Sequence, residues 1–376
     1  MKKHPSRSKK PKKPKKPSNP KKQKKPKKRK SKQAAAKKKA RSTKEKQDSC
    51  AALARLRRVR EGTLYLLTKK TNDDRFLLLP DDTVDLVLLY LLILKLRKYG
   101  LRLHAFVVMS NHIHLVVTDV RGNLPKFMRE FLSESGKAIK VALGTTCRIW
   151  SPDRYSAVEL LDRDAAIRAI AYCQTNPTKA GLTLPEEWPG LSSAVHKFGG
   201  TLTAKKPTFY FGANRPNSVS CRLSPLPDTI GHFNNPKSDE KAKSKPRSAE
   251  AERRADREKC ARLQATIEKR VGESVERILR ERKERGKPDL VGRDEVLATP
   301  RTRRGNHPFR GVNPRFATKD PELMKQAKAD HKAFCVQHSE AKESYIAGNQ
   351  NVLFPHGTYG YKELLRVNVR KGGDAA

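Results

Sequence analysis

In the segment Met109-Ser-Asn-His-Ile-His-Leu-Val-Val117, two imidazoles stand two residues apart at the head of a β-branched run. Successive side chains on a strand alternate between faces, so His112 and His114 project from one side and Ile113 and Leu115 from the other. The fold must therefore offer a sheet that is apolar on one face and histidine-bearing on the other. Two neutral imidazoles on one sheet face can grip a divalent cation without distorting the backbone. The same pair could instead be two polar residues on a solvated strand face, the commoner meaning of a bare His-x-His. Residues further down the chain decide between them.

Around this strand the pattern is that of a compact α+β unit. Ala51–Arg60 reads as a short helical lead-in and Thr63–Lys69 as a strand. Asp81 and Asp82 precede the apolar run Val84–Leu96, and acidic residues suit the positive end of a helix. Asp85 and Lys95 interrupt that run, which is too short to span a bilayer; it reads as a buried helix, with no membrane partner. Leu101–Met109 is a second strand, Ser110-Asn111 turns the chain, and His112–Thr118 returns antiparallel to it. Leu124, Phe127, Met128 and Phe131 give Leu124–Leu143 the spacing of an amphipathic helix. Ala165–Thr175 is a further helix, stopped by Pro177. The expected class is α+β, an antiparallel sheet with helices packed on it.

The 376-residue chain carries a formal net charge of +44, unevenly spread. Residues 1–46 hold 24 Lys or Arg against one acid, Glu45, which places +23 of the total there. Runs such as Lys9-Lys-Pro-Lys-Lys-Pro-Lys-Lys-Pro17 have nothing apolar to bury and repel themselves, so residues 1–50 read as a disordered basic tail. A polyanion, nucleic acid above all, is the partner such charge suits, although a solubilising tail has the same composition. The basic start is not followed by the apolar core of a signal peptide. Six scattered cysteines without C-x-x-C spacing argue against structural zinc and fit a reducing compartment. After the 51–197 domain, residues 198–245 are rich in Pro, Ser, Asn and Lys and read as a linker. Residues 246–286 read as a charged helix with a narrow apolar stripe (Leu263, Ile267, Val271, Val275, Ile278), and 287–376 as a basic accessory region, so that the C-terminal extension is mostly helical or irregular.

A cation held by two histidines alone is under-coordinated for phosphodiester chemistry. The helix Ala165–Thr175 offers more: Tyr172 and Asn176 are four residues apart and so share a helical face. A phenol and an amide oxygen on one face can address a single metal-bound phosphate. Tyrosine is a poor nucleophile at its ordinary pKa near ~10 and needs positioning and help from the phosphate's side. The competing reading of Tyr172 is a buried helix aromatic with a satisfied hydroxyl. Tyr65 and Tyr90 fall within apolar runs and read as core, Tyr155 as aromatic packing, and His104 as a polar strand residue.

Taken together, Met109-Ser-Asn-His-Ile-His114, Gly122-Asn-Leu124, Trp150-Ser-Pro-Asp-Arg-Tyr155 and Ala171-Tyr-Cys-Gln-Thr-Asn-Pro-Thr-Lys-Ala-Gly-Leu182 resemble the REP-associated tyrosine transposases. These are relatives of the single-tyrosine insertion-sequence transposases in the HUH nuclease superfamily. The resemblance covers about residues 58–197, with four motifs in the family's order. It implies a ferredoxin-like HUH nuclease domain, Mg²⁺ or Mn²⁺ on His112 and His114 with Asn176 completing the site, and Tyr172 as nucleophile. It also implies single-stranded or hairpin DNA as partner, cleaved and rejoined through a 5′-phosphotyrosine, and a prokaryotic cytoplasmic, nucleoid-associated setting; it admits a homodimer. Ser110 stands where relatives carry proline, and Thr178-Lys179 replaces Val-Arg. Arg129, Lys137, Lys140, Arg154 and Lys179 are candidate DNA contacts, though a solvated face would explain the helix cations equally well. The alternative function is a non-catalytic, sequence-specific DNA-binding protein.

Overall fold

The computed structural model describes residues 56–230, 248–305 and 314–371. The basic tail expected over residues 1–50 lies outside them. The first described residues, 56–60, run without helix, contrary to the lead-in expected over Ala51–Arg60. Long-range partners hold them out: the Val59 N–H donates to the Gly357 carbonyl at 3.0 Å, and Arg57 to the Tyr155 carbonyl at 2.9 Å.

Strand β1 (Thr63–Lys70) leads to α1 (Asp82–Tyr99), whose first N–H groups are accepted by the Asp81 carboxylate. Gly100 ends α1 in the left-handed region at φ 71°, and a Cβ there would also lie 2.8 Å from Cδ of Arg121. β2 (Leu101–Met109) and β3 (His112–Asp119) form the expected hairpin, with Met109 opposite His112 across the two-residue turn. α2 (Leu124–Ala142) starts where the Asp119 carboxylate accepts the Asn123 and Leu124 N–H groups at 2.8 and 2.7 Å. A further strand, β4 (Ser156–Leu160), was not legible in the sequence; its Glu159 is buried against Arg60 at 2.7 Å. α3 (Arg163–Gln174), capped by Asp162, breaks at Thr175 into the single turn α4 (Asn176–Lys179), with Pro177 in its first turn.

These strands lie in the order β2-β3-β1-β4, each pair antiparallel. β1-α1-β2 and β3-α2-β4 are both parallel crossovers, and their common right-handedness puts α1 and α2 on one face, where they pack together. α3 packs on β2 and β3 from the histidine face. The result is the expected α+β class.

The stretch 198–245, expected to be a linker, instead carries a β-hairpin, β5 (Thr201–Lys205) with β6 (Ser218–Arg222). Leu202, Ala204 and Val219 alternate inward and both strands pack on α1. The Tyr90 hydroxyl donates to the Pro216 carbonyl at 2.8 Å, and its ring meets Phe211 edge-on at 5.3 Å. Covered by α2 and the sheet on one side and this hairpin on the other, α1 buries most of its circumference, which is why Val84–Leu96 reads as apolar all round. Residues 231–247 lie outside the description.

The charged helix is present as α5 (Ala249–Glu284); Cys260, Leu263 and Ile267 are its buried stripe, and it packs on α3 and α4. The remainder comprises α6 (Arg293–Ala298), β7 (Phe316–Ala317), α7 (Pro321–Ile346), β8 (Leu353–Phe354), α8 (Gly360–Leu365) and β9 (Asn368–Val369). β7 joins the main sheet parallel to β4, and β8 pairs with β9. No described helix is long and apolar enough to cross a membrane.

Candidate active site

Residues directly opposite on antiparallel strands share a face. The register sets Lys70 opposite His112 and Thr68 opposite His114. His114 is buried, and its Nδ1 lies 2.8 Å from the Thr68 hydroxyl, with a further hydrogen bond from the ring to the Leu67 backbone. Its Nε2 is buried with no hydrogen-bond partner. Placing the ring proton on Nδ1 leaves an Nε2 lone pair that nothing among the described residues satisfies, at a cost of about 1–3 kcal/mol for such a group. Burial first, then His112 and Lys179, hold His114 well below the ordinary imidazole range, so the ring is neutral and can act as a ligand. In His112, Nδ1 lies 2.7 Å from the Asn111 side-chain carbonyl, which accepts the ring N–H and fixes the tautomer in the same sense. The two imidazoles meet edge-on, with centroids 4.8 Å apart.

α3 brings the phenol to this pair. The half-buried Tyr172 ring stands 5.1 Å from that of His114 at an interplanar angle of 72°. Burial and the neighbouring Cys173 push the Tyr172 hydroxyl up from its ordinary value, and a hydrogen bond with the Asn176 side chain pulls it back in part. Asn176 is itself buried, held at the break between α3 and α4 where the Thr175 hydroxyl donates to the Ala171 carbonyl at 2.8 Å. The Lys179 ammonium lies 4.9 Å over the Tyr172 ring. His112, His114, Tyr172, Asn176 and Lys179 are thus brought together.

Among the described residues, no three His, Cys, Asp or Glu side chains cluster in a way that could hold a metal. A cation here would rest on two imidazole nitrogens and the Asn176 amide oxygen, a wholly neutral set that leaves positions for phosphate oxygens. The unsatisfied His114 Nε2 is the observation that makes these residues fit one.

The other predicted residues fall elsewhere. Arg129 and Lys137 are exposed on α2 and Lys140 is half-buried there, on the face opposite the histidines. Arg154 is exposed two residues before Ser156, which pairs with Thr68, so it borders the histidine end of the sheet. His104 is no ligand: Nδ1 lies 2.9 Å from the Ser224 carbonyl and Nε2 2.8 Å from the Thr118 hydroxyl. Tyr65 and Tyr90 are core residues, and Tyr155 packs under the Arg57 guanidinium at 4.1 Å. Sequence reasoning missed Thr68 and Asn111. Asn111 adjoins the motif, but Thr68 becomes visible only through strand register.

No protein-family model matches this chain, and no curated protein matches it. Among solved structures, a REP-associated tyrosine transposase bound to a REP hairpin is similar over 37% of this chain and 80% of its own, with 23% identity and a TM-score of 0.31. A transposase candidate from Deinococcus radiodurans R1 is similar over 28% of this chain and 83% of its own, with 22% identity and a TM-score of 0.23.

Proposed function

We propose that this chain is a metal-dependent tyrosine transposase, a single-stranded DNA endonuclease and strand transferase of the REP-associated kind. The observation that carries the reading is the convergence of Tyr172 and Asn176 on a histidine pair, one member of which buries an unsatisfied nitrogen. The four sequence motifs support it independently. The +44 charge suits a DNA partner, here single-stranded or hairpin DNA in a nucleoid setting.

In this reading a DNA strand lies against the histidine face. The Tyr172 oxygen attacks phosphorus while the bond to the 3′ oxygen breaks, leaving a 5′-phosphotyrosine and a free 3′-hydroxyl. Tyr172 enters protonated, since burial raises its pKa; its proton passes to solvent water as the O–P bond forms, and the departing 3′ oxygen takes a proton back from water. The Asn176 amide donates to the phenolic oxygen as charge develops there, and the Lys179 ammonium stands over the same ring. Held by His112, His114 and Asn176, Mg²⁺ or Mn²⁺ would supply Lewis-acid polarisation and orientation of the phosphate. Because the covalent link retains the phosphodiester, attack by a second 3′-hydroxyl reverses the step and joins strands.

Incubation with labelled single-stranded hairpins and Mn²⁺ tests this. A denaturant-resistant protein–DNA band is expected, absent in Tyr172→Phe with binding near normal. An adduct that survives in Tyr172→Phe removes Tyr172 from its role, and an adduct indifferent to divalent cations removes the metal.

A further inference from the structure

A second polar cleft lies at the other end of the same strands. β3 runs from His112 to Asp119, so its far end is on the order of 20 Å from the histidine pair. There, residues 59–61 and the turn before α2 meet the segment 356–371, around a cavity of about 510 Å³. Its lining brings together Arg121, Lys362, Arg370 and Lys371 from three stretches of chain. Two acids, Glu61 and Glu363, share the wall, and Lys126 engages Glu363 at 2.8 Å. Arg121, Lys362 and Arg370 therefore face essentially one uncompensated carboxylate. The Arg121 stem passes close over Gly100. A half-buried aromatic ring, Tyr359, stands in the same wall.

We infer that this cleft is a second DNA site, holding the backbone of a single strand on Arg121, Lys362 and Arg370 and stacking one base on Tyr359. Basic side chains tracking phosphates beside an aromatic platform are what unpaired nucleic acid requires, because every base has a π-face but a duplex keeps its faces stacked. A duplex would meet the cations and leave the recessed ring idle. The choice of DNA rests on the function proposed above; the fit to a single-stranded polyanion rests on the cleft alone. Nine of the fourteen lining residues come from 356–371, outside the stretch that resembles a transposase, so the C-terminal region contributes a working surface.

The test uses the full chain and a hairpin whose single-stranded arm carries 5-iodouracil, cross-linked by light and mapped by mass spectrometry. A cross-link in the Tyr359 peptide is expected. Lys362→Glu with Arg370→Glu should lower its yield about tenfold and make the log–log salt dependence of binding shallower by about 1.4, two contacts at ~0.7 each. Because that difference is additive, contacts made elsewhere on the chain do not mask it. The charge-preserving pair Lys362→Arg and Arg370→Lys should retain both. An unchanged yield and slope after charge reversal overturns the site, and RNA of the same sequence displacing the DNA overturns its assignment to DNA. Failure of the cleft and of the catalytic reading are distinguishable: an adduct at Tyr172 without the Tyr359 cross-link sinks only the cleft, and a Tyr359 cross-link without an adduct sinks only the catalysis.

Discussion

His104 and His114 lie on adjacent strands, are 0% and 4% exposed, and have imidazoles shifted downward by burial. His104 sits at the β-bulge between Leu103 and Ala105, where the ladder register shifts, and both its nitrogens are hydrogen-bonded, to Ser224 and Thr118. His114 sits in an unbroken ladder, with one nitrogen served by Thr68 and the other by nothing among the described residues. Burial and a perturbed pKa are common to the two and so do not mark function. The unsatisfied atom is what separates them, and the proposed metal site rests on it.

Exchanging the two histidines' roles by mutation should separate them. The largest effect is expected from His114→Ala: adduct formation falls by about a thousandfold or more, of the order seen when a main charge-stabilising group is removed, while the thermal midpoint falls less than in His104→Ala, because losing the unsatisfied Nε2 offsets part of the cavity cost. Mn²⁺ should raise the midpoint of the wild-type protein and of His104→Ala but not of His114→Ala. If the ion stabilises all three equally, the histidine pair is not its site.

His104→Ala should do the reverse. It opens a cavity and strands the Ser224 carbonyl and the Thr118 hydroxyl, costing about 3–5 kcal/mol in denaturant unfolding. Cleavage per folded molecule should be unaltered. Acid extends the same contrast. Burial lowers His104 to about 4, so the folded state refuses a proton that the unfolded chain accepts near 6.5. Its contribution is fully present above about pH 6.5 and is lost as pH falls from there toward about 4, worth about 3 kcal/mol across that window. A His104→Gln variant should lose that part of the slope; an unchanged slope would show that other groups carry it.

Thr68→Val removes the hydroxyl beside His114 Nδ1 while keeping a β-branched strand residue. A loss of about 10–100-fold in metal affinity is expected, the usual cost of removing an outer partner of a ligating histidine. The smallest effect belongs to Lys179→Met, which removes the cation over the Tyr172 ring: a several-fold fall in cleavage rate, with binding nearly intact. Rates that respond more to Lys179 than to Thr68 would mean that charge at the phenol outweighs orientation of the imidazole.

The separation between what could and could not be read beforehand runs along physical lines. Period-two alternation at His112 and His114 and the four-residue step from Tyr172 to Asn176 are local, and local geometry survives into the fold. The β2–β3 hairpin was legible for the same reason, its two-residue turn lying between two apolar runs. Thr68 was not, because nothing within Thr63–Lys70 states which strand will lie beside it. The β5–β6 hairpin was hidden by its brevity: Leu202, Ala204 and Val219 alternate correctly, but Pro, Ser and Asn around them signal a loop. Its role was nevertheless implied by α1, whose apolar residues exceed what one sheet face can cover. Residues 56–60 show the converse error, a segment with helical composition drawn out by Arg60–Glu159 and by Gly357, nearly three hundred residues away in sequence.

The hairpin laid over α1 has a consequence for synthesis. Until residue 222 has left the ribosome, the outward side of α1, with Tyr90 at its centre, has nothing to cover it. A nascent chain ending near residue 197 would hold every proposed catalytic side chain and yet display an oily stripe to solvent. A fragment cut at that point should precipitate, and extending it through β6 should return it to solution.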